Sequence, residues 1–220
     1  MSEQVEGEWK NFVFRMALPS DHPAILTHIH KSYIPDEPLG KHIGREEAMS
    51  EDFNANVQAA LDKNLTFMAI DKLKNKIAGV RLISIRYKNE NIKPPPNTHK
   101  KSLAIRNILS KISDCADIFQ RYPEIDHYAD FILVSVDKEY RGCGLASEIY
   151  ERAYKMLKAM KIPLIKCIFT NPYTEKIAVK TGFQEVARIR IQDWKYDDGK
   201  PCAPNATDED WVVVMVKELL

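Results

Sequence analysis

The chain has 220 residues, 45% hydrophobic and 29% charged, with a formal net charge of +1. That balance supports a packed core and excludes a disordered chain. The near-zero charge removes the electrostatic reason to expect nucleic acid or an anionic membrane as partner.

The start, Met1 to Trp9, carries Glu3, Glu6 and Glu8 without an apolar stretch, so no secretory signal is read there. Phe12 to Met16 reads as a first strand. Ser20 or Asp21 then offers a helix cap, and Ile25, Ile29 and Tyr33 mark an amphipathic helix by their spacing. Pro35 and Pro38 end it in the loop Ile34-Pro35-Asp36-Glu37-Pro38-Leu39. A second helix is expected from about Arg45 to Lys63. Phe67 to Ile70 and Ile77 to Tyr87 read as a strand pair turning at Lys74-Asn75-Lys76.

Lys93-Pro94-Pro95-Pro96-Asn97 suits only an exposed connection, and a helix is expected from about Ser102 to Arg121. Phe131 to Val136 is a nearly continuous apolar run, as in a strand buried mid-sheet. Leu145, Ile149, Ala153, Leu157 and Met160 mark a helix, and Leu164 to Phe169 the next strand. A helix from about Tyr173 to Lys180 stops at Gly182, and Phe183 to Asp193 and Trp211 to Val216 read as two antiparallel strands. The order describes an α/β sandwich on one mixed sheet, a single domain over 1–220. No apolar run approaches the ~20 residues of a membrane span. The four cysteines show no C-x-x-C pair, which fits reduced thiols in a cytoplasmic protein, and no metal site is expected from the six histidines.

The most informative stretch runs from Val134, Ser135 and Val136 through Arg141, Gly142, Cys143 and Gly144 into Leu145, Ala146 and Ser147. A buried strand enters a glycine loop, and the loop opens a helix. Gly142 and Gly144 let the backbone approach a ligand. The helix's first N–H groups lack internal partners and carry partial positive charge, which suits a pyrophosphate, with Arg141 as an added cation. A dinucleotide fingerprint would need a third glycine where Ser147 stands, and a Walker loop would need Gly-Lys-Ser/Thr; neither is present. Cys143 faces the same loop and is not read as a nucleophile.

Arg141, Gly144 and Ala146 resemble the coenzyme A pyrophosphate motif of GNAT acetyltransferases, and Asn171, Gly182 and Phe183 stand at matching positions downstream. The resemblance implies the GNAT acyl-CoA N-acyltransferase fold, a mixed and mostly antiparallel sheet of about seven strands flanked by helices. It also implies acetyl-CoA as co-substrate, with Asn171 and Tyr173 joining the coenzyme site and the strand Val134 to Val136 splayed to bind it. Ala178 stands where many members carry a tyrosine acid, and Thr174 replaces the usual alanine. Asp36-Glu37-Pro38-Leu39 is similar to a loop of insect arylalkylamine N-acetyltransferases. That narrower likeness implies Glu37 as general base, with Thr170 and Thr174 in place of two assisting serines. A monomer acting on dopamine-, tyramine-, octopamine- or serotonin-class amines is then expected. A non-aromatic acceptor, or a coenzyme-binding module without catalysis, is the alternative.

Overall fold

The computed structural model describes residues 2–44, 50–90 and 99–219. Among them, eight strands form one sheet in the order β1-β2-β3-β4-β5-β6-β8-β7. The strands are β1 (Gly7–Trp9), β2 (Phe12–Met16), β3 (Phe67–Asp71), β4 (Lys76–Tyr87), β5 (His127–Val136), β6 (Leu164–Phe169), β7 (Gln184–Arg190) and β8 (Trp211–Glu218). Every neighbouring pair is antiparallel except β5 and β6. Two parallel neighbours need a crossover, and α6 (Leu145–Ala159) supplies it. The remaining helices are α1 (His22–Ser32), α2 (Pro38–Ile43), α3 (Ser50–Leu61), α4 (Lys100–Ala116), α5 (Ile118–Arg121) and α7 (Pro172–Lys180).

The sheet is covered on both faces. Ile149, Tyr150, Ala153 and Leu157 of α6 pack one face against Phe131, Ile165 and Met215. On the other, Ile25 and Ile29 of α1 and Val57 of α3 cover Met68, Val80 and Leu82. Ile108 and Ile112 of α4, with Leu39 and Ile43 of α2, cover Leu164 and Val214.

Four expectations change. The sheet has eight strands rather than about seven, because Gly7–Trp9 pairs with Phe12–Phe14 ahead of the first predicted strand. A hairpin this short carries almost no periodicity, and its turn residue Lys10 adopts φ 52° without being glycine. The helix expected from Ser102 to Arg121 is two, broken where Asp117 turns left-handed at φ 34° and caps the Gln120 amide. The loop after the first helix contains α2, started by Pro38 at its first position. Asp21 precedes α1 without capping it; its carboxylate instead takes the Leu18 amide and Arg15. The beginning of the second predicted helix, 45–49, and the Lys93 to Asn97 connection lie outside the described residues.

Helix α6 lies close against the sheet over Gly79. A Cβ there would lie 2.8 Å from Ile149 Cδ1 and 3.2 Å from the Ser135 carbonyl oxygen. Gly79→Val is therefore expected to lift α6 and cost about 1–3 kcal/mol, the usual penalty of overpacking. Urea denaturation should show a lower midpoint at unchanged slope; an unchanged midpoint would refute the close packing.

Candidate active site

The site begins where β5 leaves β6. The two strands pair only from Ala129–Ile165 to Phe131–Cys167. Beyond that point β5 keeps its ladder with β4 up to Val136–Gly79, while β6 follows β8 up to Phe169–Val213. The β5 edge from Ile132 to Val136 thus lacks a strand partner on its β6 side, and a wedge-shaped cleft opens there. The parting coincides with a bulge: Leu82 pairs with Leu133 and Ile83 with Phe131, so Ile132 is the extra residue. The bulge resets the alternation. Val134 and Val136 face the α6 core, whereas Ser135 faces α1.

At the outer end of β5 the chain enters the glycine loop. Asp137 caps the turn Lys138–Tyr140 by accepting from the Glu139 amide. Gly142 and Gly144 both take positive φ, 79° and 91°, so the loop depends on glycine at these two positions. Gly144 begins α6, and no side chain caps it. The first amides of a 15-residue helix therefore point out of the loop toward the mouth of the cleft. Leu145 is buried in the core, so its backbone rather than its side chain faces that mouth, followed by Ala146 and Ser147. The Cys143 thiol donates to the Tyr140 carbonyl and stabilises the loop internally.

The N-terminal hairpin supports this loop, a feature the sequence reading missed. The Lys10 ammonium donates to the Cys143 carbonyl at 2.7 Å and lies 4.3 Å above the Trp9 ring. Trp9 reaches toward the Gly144 backbone and stacks near Phe12, which meets Tyr140 edge-on. Arg141 is differently engaged from its expected role. Its Nε donates to the Val136 carbonyl, Nη1 to Asp36 Oδ2 at 2.8 Å and Nη2 to the Ser32 carbonyl at 2.9 Å. It ties the end of α1 to the start of the glycine loop. The hydrogen bond from Arg141 also holds the Asp36 carboxyl below the usual carboxylate range, despite slight desolvation.

On the α1 side, Glu37 is buried at 5% exposure. Its carboxylate caps α2 by accepting from the Leu39 amide at 3.0 Å and the Gly40 amide at 2.6 Å. The Thr170 hydroxyl, just past the end of β6, donates to Glu37 Oε1 at 2.9 Å. Two residues separated by 133 positions, chosen from sequence as base and helper, are thus in direct contact. Thr174 is not part of that pair; its hydroxyl donates to the Asn171 carbonyl within the first turn of α7. Asn171 caps α7 through the Tyr173 amide, and the Tyr173 ring is 77% exposed. His28 and His30 point apart, as expected, and His28 has a packing role. It is buried, and its Nε2 lies 3.1 Å from Ser135 Oγ on the parted strand. Burial lowers its pKa, against opposing pulls from Asp137 and from the Ile77 and Ser135 backbone. Among the described residues no group of His, Cys, Asp or Glu could hold a metal, and all four cysteines are unpaired.

No protein-family model matches the chain. Solved structures do. The chain is similar to an arylalkylamine N-acetyltransferase 2 from Aedes aegypti, with TM-score 0.81, 20% identity and coverage of 96% of this chain and 100% of that one. A mosquito arylalkylamine N-acetyltransferase-like 5b gives TM-score 0.83 at 19% identity, covering 94% and 100%. A Drosophila melanogaster polyamine N-acetyltransferase that forms N-acetylagmatine gives 0.72 at 17%, covering 94% and 100%. The chain has the GNAT fold, and in structure it resembles the insect arylalkylamine N-acetyltransferases.

Asp137 supplies a pH test of the loop. Burial pushes its carboxyl up, but hydrogen bonds from Lys76 and the Glu139 amide, with the charges of Lys76 and Lys31, outweigh burial and leave it at about 2. The folded value lies below the ~3.9 of an unfolded aspartate, so its stabilisation is complete above that value and disappears as pH falls toward 2. Stability measured by denaturant at several pH values should drop across that window. Asp137→Asn should flatten the drop, and an equally steep acid limb in the variant would contradict the assignment.

Proposed function

We propose that the protein transfers the acetyl group of acetyl-CoA to the primary amine of an arylalkylamine, by direct attack in a ternary complex. The observation that carries this reading is the contact between Thr170 and the buried Glu37 carboxylate beside the cleft where β5 and β6 separate. The fold shared with N-acetyltransferases supports it.

The coenzyme's acidic end suits the loop from Arg141 to Ser147, and its extended arm suits the unpaired β5 edge from Val134 to Val136. The bare first turn of α6 offers amides to a pyrophosphate. Lys10 contributes the neighbouring cation, since the guanidinium of Arg141 is committed to protein groups. In this reading Arg141 acts indirectly, holding the loop against α1. Asn171 and Tyr173 border the site from the start of α7.

A primary amine has a pKa near ~10 and arrives as ammonium, so it must lose a proton before attack. Thr170 already donates its proton toward Glu37. Its oxygen accepts the amine's proton as its own passes to the carboxylate, and the relay needs no water. The freed nitrogen lone pair then attacks the thioester carbonyl, which the β5 amides polarise. Thr174, bonded to its own helix, supports the geometry of α7 rather than the relay. One domain acting as a cytoplasmic monomer suffices for this chemistry. The fold shared with a polyamine acetyltransferase favours a second reading, in which the acceptor is a non-aromatic amine.

Incubating the protein with acetyl-CoA and a panel of aromatic amines, polyamines and amino acids, and following thiol release, tests both. Turnover of dopamine, tyramine, octopamine or serotonin is expected; preference for polyamines would select the second reading, and no turnover would end both. Glu37→Gln keeps the shape but not the charge, and should lower kcat about 10²–10⁴-fold, the range of a lost general base, while acetyl-CoA binding persists. Lys10→Ala should weaken acetyl-CoA binding without lowering kcat. An unaltered dissociation constant would remove Lys10 from the coenzyme site.

A further inference from the structure

We infer that Arg81, buried beneath the apex of the cleft, is the charge that stabilises the departing thiolate, an assignment that rests on the acetyl-transfer reading. Arg81 stands on β4 opposite Val134 of β5. It is 1% exposed and heads the largest fully buried side chains of the chain. Its Nε and Nη2 have no hydrogen-bond partner. The guanidinium carbon lies 3.4 Å from the centre of the Phe131 ring and 4.7 Å from that of Tyr150. Phe131 belongs to the last β5–β6 pair, so the ring that carries the guanidinium marks the point where the cleft begins.

Arg81 places its guanidinium in the core. Removing a cation from water without a carboxylate is costly, and contact with two aromatic faces offsets only part of that cost. Among the described residues no ion pair reaches it. Tyr150, Tyr154 and Cys167 surround it, and burial raises all three, the thiol to about 12, so they stay uncharged at neutral pH. Asp130 projects to the opposite face, where Arg86 at 3.3 Å and Lys166 at 3.6 Å hold it. The apex is therefore a region of positive potential in a dry environment, where such a charge acts strongly.

The reaction needs a charge in that place. The amine nitrogen forms its bond to the acetyl carbon, the carbon–sulfur bond breaks, and the electron pair leaves on sulfur. The amine's proton goes through Thr170 to Glu37, on the other side of the sheet. The thiolate then leaves as an anion and takes its proton from solvent after release. Tyr173, the nearest phenol on α7, is largely in solvent, and Thr170 has its proton directed to Glu37. Neither is placed to protonate sulfur. Arg81 lies one strand from Val134, a separation of about 4.8 Å between backbones, and lowers the energy of the anion without giving a proton. It acts through space and is not a catalytic residue in the sense of touching the reacting atoms.

Calorimetry of coenzyme A with the wild-type protein comes first; absence of binding would remove the acetyl-transfer reading itself. In the bound complex, the coenzyme thiol is titrated by the ultraviolet absorbance of its thiolate. The expected pKa lies about one unit or more below that of free coenzyme A, a tenfold gain in thiolate. A bound thiol no more acidic than the free one overturns the inference while leaving the reading intact. Arg81→Met should abolish the shift and lower kcat about tenfold, and Arg81→Lys should restore most of both. Equal loss in the two variants, or a shift retained in Arg81→Met, also overturns it. If Arg81→Met fails to fold, the wild-type titration decides alone.

Discussion

The structure depends on the early end of one parallel strand pair. After Phe131 and Cys167 the partner of β6 is β8 alone, and the partner of β5 is β4 alone. Parallel pairing across the middle of a sheet normally buries every backbone group. Here the β5 edge from Ile132 to Val136 is left without a ladder on its β6 side, with Ile132 exposed. The parting leaves these groups to water or, in the proposed reading, to the extended arm of the coenzyme. The bulge at Ile132 accommodates the parting, because the extra residue lets β5 turn away while Val134 and Val136 still reach the α6 core.

Everything around the cleft is anchored to that geometry by a few polar contacts. Arg141 joins the end of β5, the last turn of α1 and Asp36 through three separate donations. Glu37 follows Asp36 directly, and its carboxylate holds the first turn of α2 while receiving Thr170 from the end of β6. The loop before α6 and the loop before α2 thus form one network. His28 adds a further tie, from α1 to Ser135 on the parted strand. These contacts connect distant parts of the chain, so the cleft's two walls and its floor are fixed together.

Much of this was legible in the sequence, and the residues explain why. The run Phe131 to Val136, the glycines at 142 and 144 and the amphipathic spacing of Leu145 to Met160 are local signals, and the strand–loop–helix unit formed as read. Glu37 and Thr170 were chosen as partners through resemblance, and their contact is a fact of the fold that spacing alone does not contain. The hairpin Gly7–Trp9 was invisible because three residues have no measurable period. The sequence offers Arg141 as a cation for the loop but does not reveal its protein partners, the Ser32 and Val136 carbonyls and the Asp36 carboxylate, which only the fold brings together. Arg81 carries no local signal. A polar residue within a strand pattern is expected at the surface, and only the packing shows that it faces inward.

Two of the buried charged residues, Glu37 and Arg81, lie in different layers of the fold, and that separation bears on the direction of the proposed reaction. Glu37 belongs to the layer of α2 and α4, where Leu39 and Ile43 pack. Arg81 belongs to the layer of α6, among Phe131, Tyr150 and Cys167. Acetyl transfer moves a proton off the amine and an electron pair onto sulfur. In the proposed reaction the Glu37 carboxylate would attract the first and the Arg81 guanidinium the second. Fixed charges of this kind are already oriented before reaction, so they need no reorganisation as the transition state forms. The cost of keeping them buried is borne by the folded protein, where Phe131 and Tyr150 shield one and the amides of Leu39 and Gly40 satisfy the other.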